Sequence, residues 1–184
     1  MELAALREQL LGYEPGDQNE VRFVERMLEL CRADGAGKRT HFEPGHFTAS
    51  AFVLSPDRRD LALIHHKKLG IWVQPGGHVE PSDADLIGAA RREVSEEVGL
   101  AELELLRYGV SPVFDVDIHV IPARKQDPAH EHFDVRFAFL ARTRELVPSE
   151  EVADLRWVPL DDVQSVATDE SVLRAVRKLR ALLG

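Results

Sequence analysis

Gly76-Gly77-His78-Val79-Glu80 (residues 76–80) and Arg92-Glu93-Val94-Ser95-Glu96-Glu97-Val98-Gly99-Leu100 (residues 92–100) are the most informative stretches of this chain. The second stretch carries three glutamates, Glu93, Glu96 and Glu97, at spacings of three and four residues within a segment of helical composition. Residues at these spacings are neighbours on a helix surface. The pattern therefore predicts a helix with three carboxylates on one face.

Three like charges on one helix face repel each other unless a cation lies between them. Mg²⁺ and similar hard cations bind carboxylate oxygens together with substrate phosphates. A solvated acidic face is the alternative, and the spacing alone supports both interpretations about equally. The flanking residues favour the metal site. Gln74-Pro75-Gly76-Gly77 predicts a turn that lets a ligand approach closely, and Arg92, four residues before Glu96, can pair with it and fix its orientation.

The same residues predict where the helix begins and ends. Ser82 or Asp83 is expected to cap its first turn, because a side-chain oxygen there can accept a hydrogen bond from a backbone N–H of the helix. Gly99 is placed where a left-handed residue commonly ends a helix. We therefore expect the helix to lie between these residues.

This segment resembles the Nudix box of the Nudix hydrolases, G-x5-E-x7-R-E-U-x-E-E-x-G-U, in which U is a bulky aliphatic residue. Gly77 opens the motif, and residues 92–100 match its second half at every fixed position. Asp83 stands where the family has Glu, and eight residues separate it from Arg92 instead of seven. We therefore expect Asp83 to cap or brace the loop and not to bind metal.

The resemblance implies an α/β fold, a Nudix-like α/β/α sandwich with a mixed β-sheet. An N-terminal helical extension over residues 1–40 would pack on a Nudix hydrolase domain over residues 41–184. The cofactor would be Mg²⁺ or Mn²⁺, held by Glu93, Glu96, Glu97 and the main-chain carbonyl of Gly76. The catalytic groups would be Glu93, preferred as the general base, with Glu96, and Arg92 orienting the cluster.

The implied activity is metal-dependent hydrolysis of a diphosphate linkage in a nucleoside diphosphate derivative, so the partner is a small nucleotide-type molecule. A nucleotide-binding sensor that does not hydrolyse its ligand is one alternative, but such proteins tend to lose carboxylates of the box. An isopentenyl-diphosphate isomerase is another. Those enzymes use an active-site cysteine, whereas the only cysteine here, Cys31, precedes the Nudix-like core.

Two further segments are candidates for substrate binding. His66 and Lys68 end a predicted strand before the glycine turn and could meet substrate phosphates, with a solvated hairpin tip as the alternative. In the second segment, strand alternation places His130, His132 and Arg136 on one face. A His-x-His pair can bind a transition metal, but the sequence shows no third soft ligand. A substrate-facing polar surface is therefore preferred, and a structural role in the sheet stays open.

Composition agrees with one cytoplasmic enzyme domain. The chain has 184 residues, 44% hydrophobic content and a single cysteine, which suit one core and a reducing compartment. We expect no membrane span, because no apolar run is long enough, and no secretory signal. The net charge of −9 argues against a nucleic-acid partner. A homodimer stays open.

Hydrophobic periodicity predicts the elements around the box. Strands interrupted by one long helix and closed by another indicate α/β layering. The predicted helices, apart from the box helix, cover residues 2–11, 21–32 and 171–183. The predicted strands cover residues 48–54, 61–66, 71–73, 103–113, 115–122, 134–142 and 155–158.

Overall fold

The computed structural model describes residues 3–124, 126–150 and 152–184. The predicted helical residue Glu2 lies outside these ranges. The helices are α1 (Leu3–Leu11), α2 (Gln18–Leu30), α3 (Leu86–Val98) and α4 (Glu170–Leu183), with a 3₁₀ turn at Val163–Ser165. The strands are β1 (Gly45–Leu54), β2 (Asp60–His65), β3 (Trp72–Val73), β4 (Gly76–His78), β5 (Leu103–Leu106), β6 (Asp115–Ile121), β7 (His130–Ala141) and β8 (Asp154–Pro159).

The strands form an eight-stranded sheet with the order β3-β2-β1-β7-β5. Beside this path, β4 pairs with β1, β6 with β7, and β8 with β2. Strands β1 and β2 form an antiparallel hairpin in which Leu54 lies opposite Leu61. The predicted α/β class, with a mixed sheet and helices, is confirmed.

Contacts divide the described residues into two compact units. The first contains the described residues up to Ala49 together with Gly77–Ala89 and Arg107–Phe137, and the second contains Ser50–Gly76, Ala90–Leu106 and Ala138–Gly184. Residues of the predicted N-terminal extension thus group with later segments of the chain. The domain boundary after residue 40 stays a prediction.

In the first unit, the start of α2 is set by a helix cap. The Asp17 carboxylate accepts hydrogen bonds from the N–H groups of Asn19 and Glu20 at 2.8 and 2.9 Å. This cap satisfies two of the free N–H groups of the first turn. The helix therefore begins at Gln18, three residues before the predicted Val21. Apolar side chains complete the core of this unit, among them Leu6, Leu10, Met27, Phe47, Val116 and Phe133.

In the second unit, β2 is the central strand of an antiparallel ladder. It pairs with β8 from Asp60 opposite Pro159 to His65 opposite Asp154, and with β3 on His65 and Ile64. Both α3 and α4 bury apolar side chains in this unit: Ala90, Val94, Val98, Val172, Val176 and Leu179. None of the helices in the described part of the chain is both long enough and apolar enough to cross a bilayer.

Two sequence predictions about local structure are corrected. The strand predicted over residues 103–113 ends at Leu106, because the chain bends over the following residues and Gly109 has a φ of +110°. The predicted glycine turn is the short strand β4. Neither Gly76 nor Gly77 is among the glycines with positive φ, so this strand does not use the left-handed backbone that glycine allows.

Candidate active site and a histidine cluster

Helix α3 is held at both ends by residues outside it. Asp85, not Ser82 or Asp83, is its cap, since the Asp85 carboxylate accepts a 2.7 Å hydrogen bond from the N–H of Gly88. At the other end, Gly99 has a φ of +75°, as predicted. A Cβ atom on Gly99 would lie 2.7 Å from the Cβ of Val147, so both backbone conformation and space require glycine here.

Arg92 holds two of the three box glutamates. Its Nη1 donates to Oε1 of Glu93 and to Oε2 of Glu96, each at 3.0 Å. The side chains of Arg92 and Glu93 are mostly buried, at 19% and 14% exposed, whereas that of Glu96 is 58% exposed. One guanidinium thus sets the orientation of two carboxylates, and Glu96 keeps most of its surface open to a ligand.

Glu97, the third glutamate, is held by the glycine strand. Its Oε2 accepts a 2.9 Å hydrogen bond from the main-chain N–H of Gly76. This contact brings the backbone of Gly76 against the helix face that carries the carboxylates. Gly76 and Glu97, twenty-one residues apart in the chain, are therefore adjacent in the second unit.

The chemistry of this group fits a hard divalent cation. Three carboxylates and one guanidinium, that of Arg92, leave an excess of two negative charges on this face of α3. Oxygen ligands with an excess of negative charge are what Mg²⁺ and Mn²⁺ bind. The residues that would hold the ion are Glu93, Glu96 and Glu97 with the carbonyl of Gly76.

Asp83 braces the loop before α3. Its Oδ2 accepts a 2.8 Å hydrogen bond from the N–H of Glu80, and its own N–H donates to the carbonyl of Glu80 at 3.0 Å. The side chain is buried, with the residue only 8% exposed. The loop in front of α3 is therefore tied together by a reciprocal pair of hydrogen bonds.

The structure does not support the predicted substrate role of Arg136. Its guanidinium contacts the carboxylates of Asp134 (2.8 Å), Asp115 (3.2 Å) and Asp117 (3.3 Å), and its side chain is 3% exposed. Burial lowers the pKa of Arg136, but the three carboxylates outweigh it and raise the pKa above its usual range. Arg136 is thus the buried cation of an ion-pair network.

His130 and His132 lie in a cluster of imidazoles within the first unit. The ring of His46 stacks on that of His130 at 5.1 Å and lies 4.9 Å from that of His132. His78, the third residue of β4, lies 5.1 Å from His46 and 5.0 Å from His132. The ring of His119 is 5.3 Å from that of His132.

Burial, and after it repulsion between neighbouring imidazoles, lowers the pKa of His78 to about 4 and that of His132 to about 2. These two rings are therefore neutral at pH 7. Burial also lowers the pKa of His46. Sequence reasoning missed His46 and His78. The alternation of polar His46, Thr48 and Ser50 along β1, all buried, is the signal that could have identified the first.

His66 and Lys68 lie in the turn after β2. The Nδ1 atom of His66 accepts hydrogen bonds from the N–H groups of Lys68 and Leu69 at 3.2 and 3.3 Å. The imidazole therefore stabilises the turn itself. Lys68 is exposed, and its role toward a substrate stays a prediction.

The α/β fold and the carboxylates of α3 agree with the family to which the sequence belongs. Residues 44–178 match the sequence model of the NUDIX domain. The match covers well over half of the chain, and the chain therefore belongs to the Nudix family. It is a Nudix-type hydrolase, and Nudix hydrolases generally use divalent metals. No curated protein sequence matches the chain significantly.

Solved structures share the fold. A NUDIX-family hydrolase from Clostridium perfringens is 24% identical with a TM-score of 0.56, over 74% of this chain and 97% of that one. The NUDIX domain of Shewanella oneidensis NrtR, in complex with ADP ribose, is 20% identical with a TM-score of 0.55, over 75% and 88%. The dihydroneopterin triphosphate pyrophosphohydrolase of E. coli is 16% identical with a TM-score of 0.57, over 72% and 92%.

Proposed function

We propose that this chain is a metal-dependent pyrophosphohydrolase that cleaves a diphosphate linkage in a nucleoside diphosphate derivative. The observation that carries the proposal is the arrangement of the three glutamates, two held by Arg92 and one by the backbone of Gly76. A helix face with this excess of negative charge repels a phosphate ester unless a cation lies between them. Carboxylates and phosphate could approach each other there only with Mg²⁺ or Mn²⁺ between them.

Each residue of the box has a role in this mechanism. The bound cation would neutralise phosphate oxygens and activate a water molecule. Glu93 is the preferred general base, because Arg92 holds its carboxylate in one orientation and a base must be positioned before its pKa matters. With Glu93 as the base, Glu96, the more exposed carboxylate, and Glu97 would hold the ion with the carbonyl of Gly76. Arg92 is the positioning residue for two of the three.

Two solved structures with the same fold support the substrate class. One related structure holds ADP ribose, and another is a dihydroneopterin triphosphate pyrophosphohydrolase. Both compounds contain a phosphoanhydride. We therefore propose a small nucleotide derivative as substrate. We also propose a cytoplasmic location, because a single cysteine suits a reducing compartment. The possible homodimer stays a prediction.

The decisive experiment is a screen of the full-length protein against nucleotide sugars, dinucleoside polyphosphates, ADP-ribose, coenzyme A and nucleoside triphosphates. Each is assayed with Mg²⁺, with Mn²⁺ and after exhaustive chelation, and products are separated to locate the broken bond. We expect turnover of at least one compound that disappears on chelation and returns with Mg²⁺ or Mn²⁺. Turnover that survives chelation on every accepted compound would contradict the metal assignment.

The same screen separates an enzyme from a sensor. A sensor would bind one of these nucleotides, as measured by calorimetry, without forming any product. The matched variants are Glu96→Gln in the box and Glu102→Gln, an exposed glutamate just after α3. We expect only the first to lose turnover.

A further inference from the structure

Three histidines of the first unit offer nitrogen atoms to a common point. One ligand atom from each of His46, His130 and His132 lies within 4.8 Å of the other two. Two come from β7, where His130 and His132 alternate onto the same face, and the third comes from the start of β1. The His-x-His pair of the sequence thus acquires in three dimensions the third imidazole that a transition-metal site requires.

Hydrogen bonds fix which nitrogen faces the cluster. The Nδ1 of His46 contacts the carbonyl oxygen of His41 at 3.0 Å, and the Nδ1 of His130 contacts that of Pro128 at 2.8 Å. A carbonyl oxygen only accepts, so each Nδ1 carries the proton. In a neutral ring the Nε2 then has its lone pair available, and metal-binding histidines are oriented by such bonds through their other nitrogen.

The Nε2 of His46 is the atom that most needs a partner. It is buried and has no hydrogen-bond partner within the described part of the chain, and His46 as a whole is 1% exposed. Buried polar atoms are nearly always paired. A metal ion satisfies an imidazole lone pair as directly as a hydrogen bond would.

We propose that His46, His130 and His132 form a binding site for a divalent transition metal of the Zn²⁺ type, which uses none of the box glutamates. Imidazole nitrogens suit Zn²⁺ and its neighbours, whereas Mg²⁺ takes oxygen ligands. The two sites therefore select different ions. Three protein ligands leave a fourth position for water or a substrate oxygen, which is the arrangement of zinc sites that act on a ligand.

The geometry needs only a small contraction to hold an ion. Tetrahedral Zn²⁺ with Zn–N bonds of about 2.1 Å places its ligand nitrogens about 3.4 Å apart, against the spacing of up to 4.8 Å found here. Metal binding would therefore draw the three nitrogen atoms closer together by up to about 1.4 Å. No Lys or Arg forms part of the triad, although Arg39 acts on His46 electrostatically.

The alternative is a metal-free stack of histidines that only fills space between β1 and β7. Such a stack predicts no specific affinity for Zn²⁺ and equal tolerance of an uncharged replacement at each position. The metal site predicts high affinity that depends on each of the three residues. Direct metal binding therefore separates the two interpretations without any activity assay.

The test is a titration of the full-length, chelator-treated protein with Zn²⁺ against a chromogenic competitor at pH 7.5. His46→Gln, His130→Gln and His132→Gln are compared with His65→Gln, a half-buried histidine beside Trp72, and with Glu96→Gln. We expect one sub-micromolar Zn²⁺ site in the wild type. Each variant of the triad should bind at least 100-fold more weakly, and His65→Gln and Glu96→Gln should keep the site.

A second measurement needs no variant that might fail to fold. Nitrogen NMR of histidine-labelled wild-type protein reports the protonated nitrogen of each ring. We expect Nδ1–H forms for His46 and His130 and a shift of the Nε2 signals of three histidines on addition of Zn²⁺. Binding that is no tighter than micromolar, that survives in all three variants, or that is lost in Glu96→Gln would overturn the proposal.

Discussion

The main-chain N–H of Gly76, the first residue of β4, donates a 2.9 Å hydrogen bond to the carboxylate of Glu97 near the end of α3. A hydrogen bond from a backbone N–H to a carboxylate is charge-assisted and stronger than one between neutral groups. It fixes the third glutamate of the box, as Arg92 fixes the other two. Contacts within the protein therefore position all three carboxylates.

Glu97→Gln tests the role of this carboxylate. Glutamine keeps an oxygen that can accept from Gly76 but removes a negative charge that the cation needs. We expect turnover to fall by about 100-fold or more, which is roughly 3 kcal/mol of transition-state stabilisation. The free energy of unfolding without metal should stay equal or rise by up to about 0.5 kcal/mol, because like charges four residues apart repel. A variant that is much less stable, but whose remaining folded molecules keep full activity, would instead indicate that Glu97 has a structural role.

Arg92→Gln should change the response of the enzyme to metal. Without the guanidinium, Glu93 and Glu96 lose their shared donor, and we expect the Mg²⁺ concentration for half-maximal rate to rise about 10-fold or more, as when an outer partner of a metal ligand is removed. Arg91→Gln is the matched control, since Arg91 donates to the carbonyl of Leu103 and lies over the ring of Phe139. That control should lower stability and leave the metal dependence unchanged. Equal metal dependence in both variants would contradict the role of Arg92.

Asp85→Ala should destabilise the protein more than Ser82→Ala. The Asp85 carboxylate accepts from the N–H of Gly88 at the start of α3, and loss of such a cap costs about 1 kcal/mol. Ser82 is exposed in the preceding loop, and its replacement should stay within about 0.5 kcal/mol. Chemical denaturation of the two variants measures both values. The reverse order would show that the cap lies where the sequence predicted it.

Arg136→Met should be among the most destabilising single changes in the chain. It leaves three carboxylates in the interior without their cation, and breaking a buried ion pair in this way costs about 3–5 kcal/mol. Arg142→Met is the control, because the pair of Arg142 with Glu104 is 61% and 46% exposed and such pairs contribute about 1 kcal/mol or less. Urea denaturation compares the two. A small effect of Arg136→Met would mean that the network is open to water.

Cys31 should react slowly with thiol reagents. Burial raises the pKa of its thiol to about 11, against a smaller lowering by Arg7, and only the thiolate is nucleophilic. At pH 8 we expect alkylation by iodoacetamide about 100-fold slower than for an ordinary thiol of pKa about 8.5. The rate should rise close to tenfold for each pH unit between pH 8 and 10. A plateau near pH 9 would contradict the raised pKa.

The sequence by itself determined the family, the α/β class and the carboxylate face of α3. Helical periodicity is local, so the spacing of Glu93, Glu96 and Glu97 is enough to place them together. Two further features depend only on residues close in sequence: the pairing of Arg92 with Glu96 and the left-handed conformation of Gly99. The helix cap was misplaced by two to three residues, because several neighbouring polar residues could each serve and only the backbone path selects Asp85.

Only the tertiary structure decided the partners that are distant in the chain. Alternation correctly placed His130, His132 and Arg136 on one strand face, but it could not show that Arg136 meets Asp115 and Asp117 from β6. Nor could it bring His46 from β1 to the two histidines of β7. Pairing between strands depends on loop closure and on the sum of many contacts. The hydrophobic pattern of one strand therefore does not reveal which other strand it pairs with.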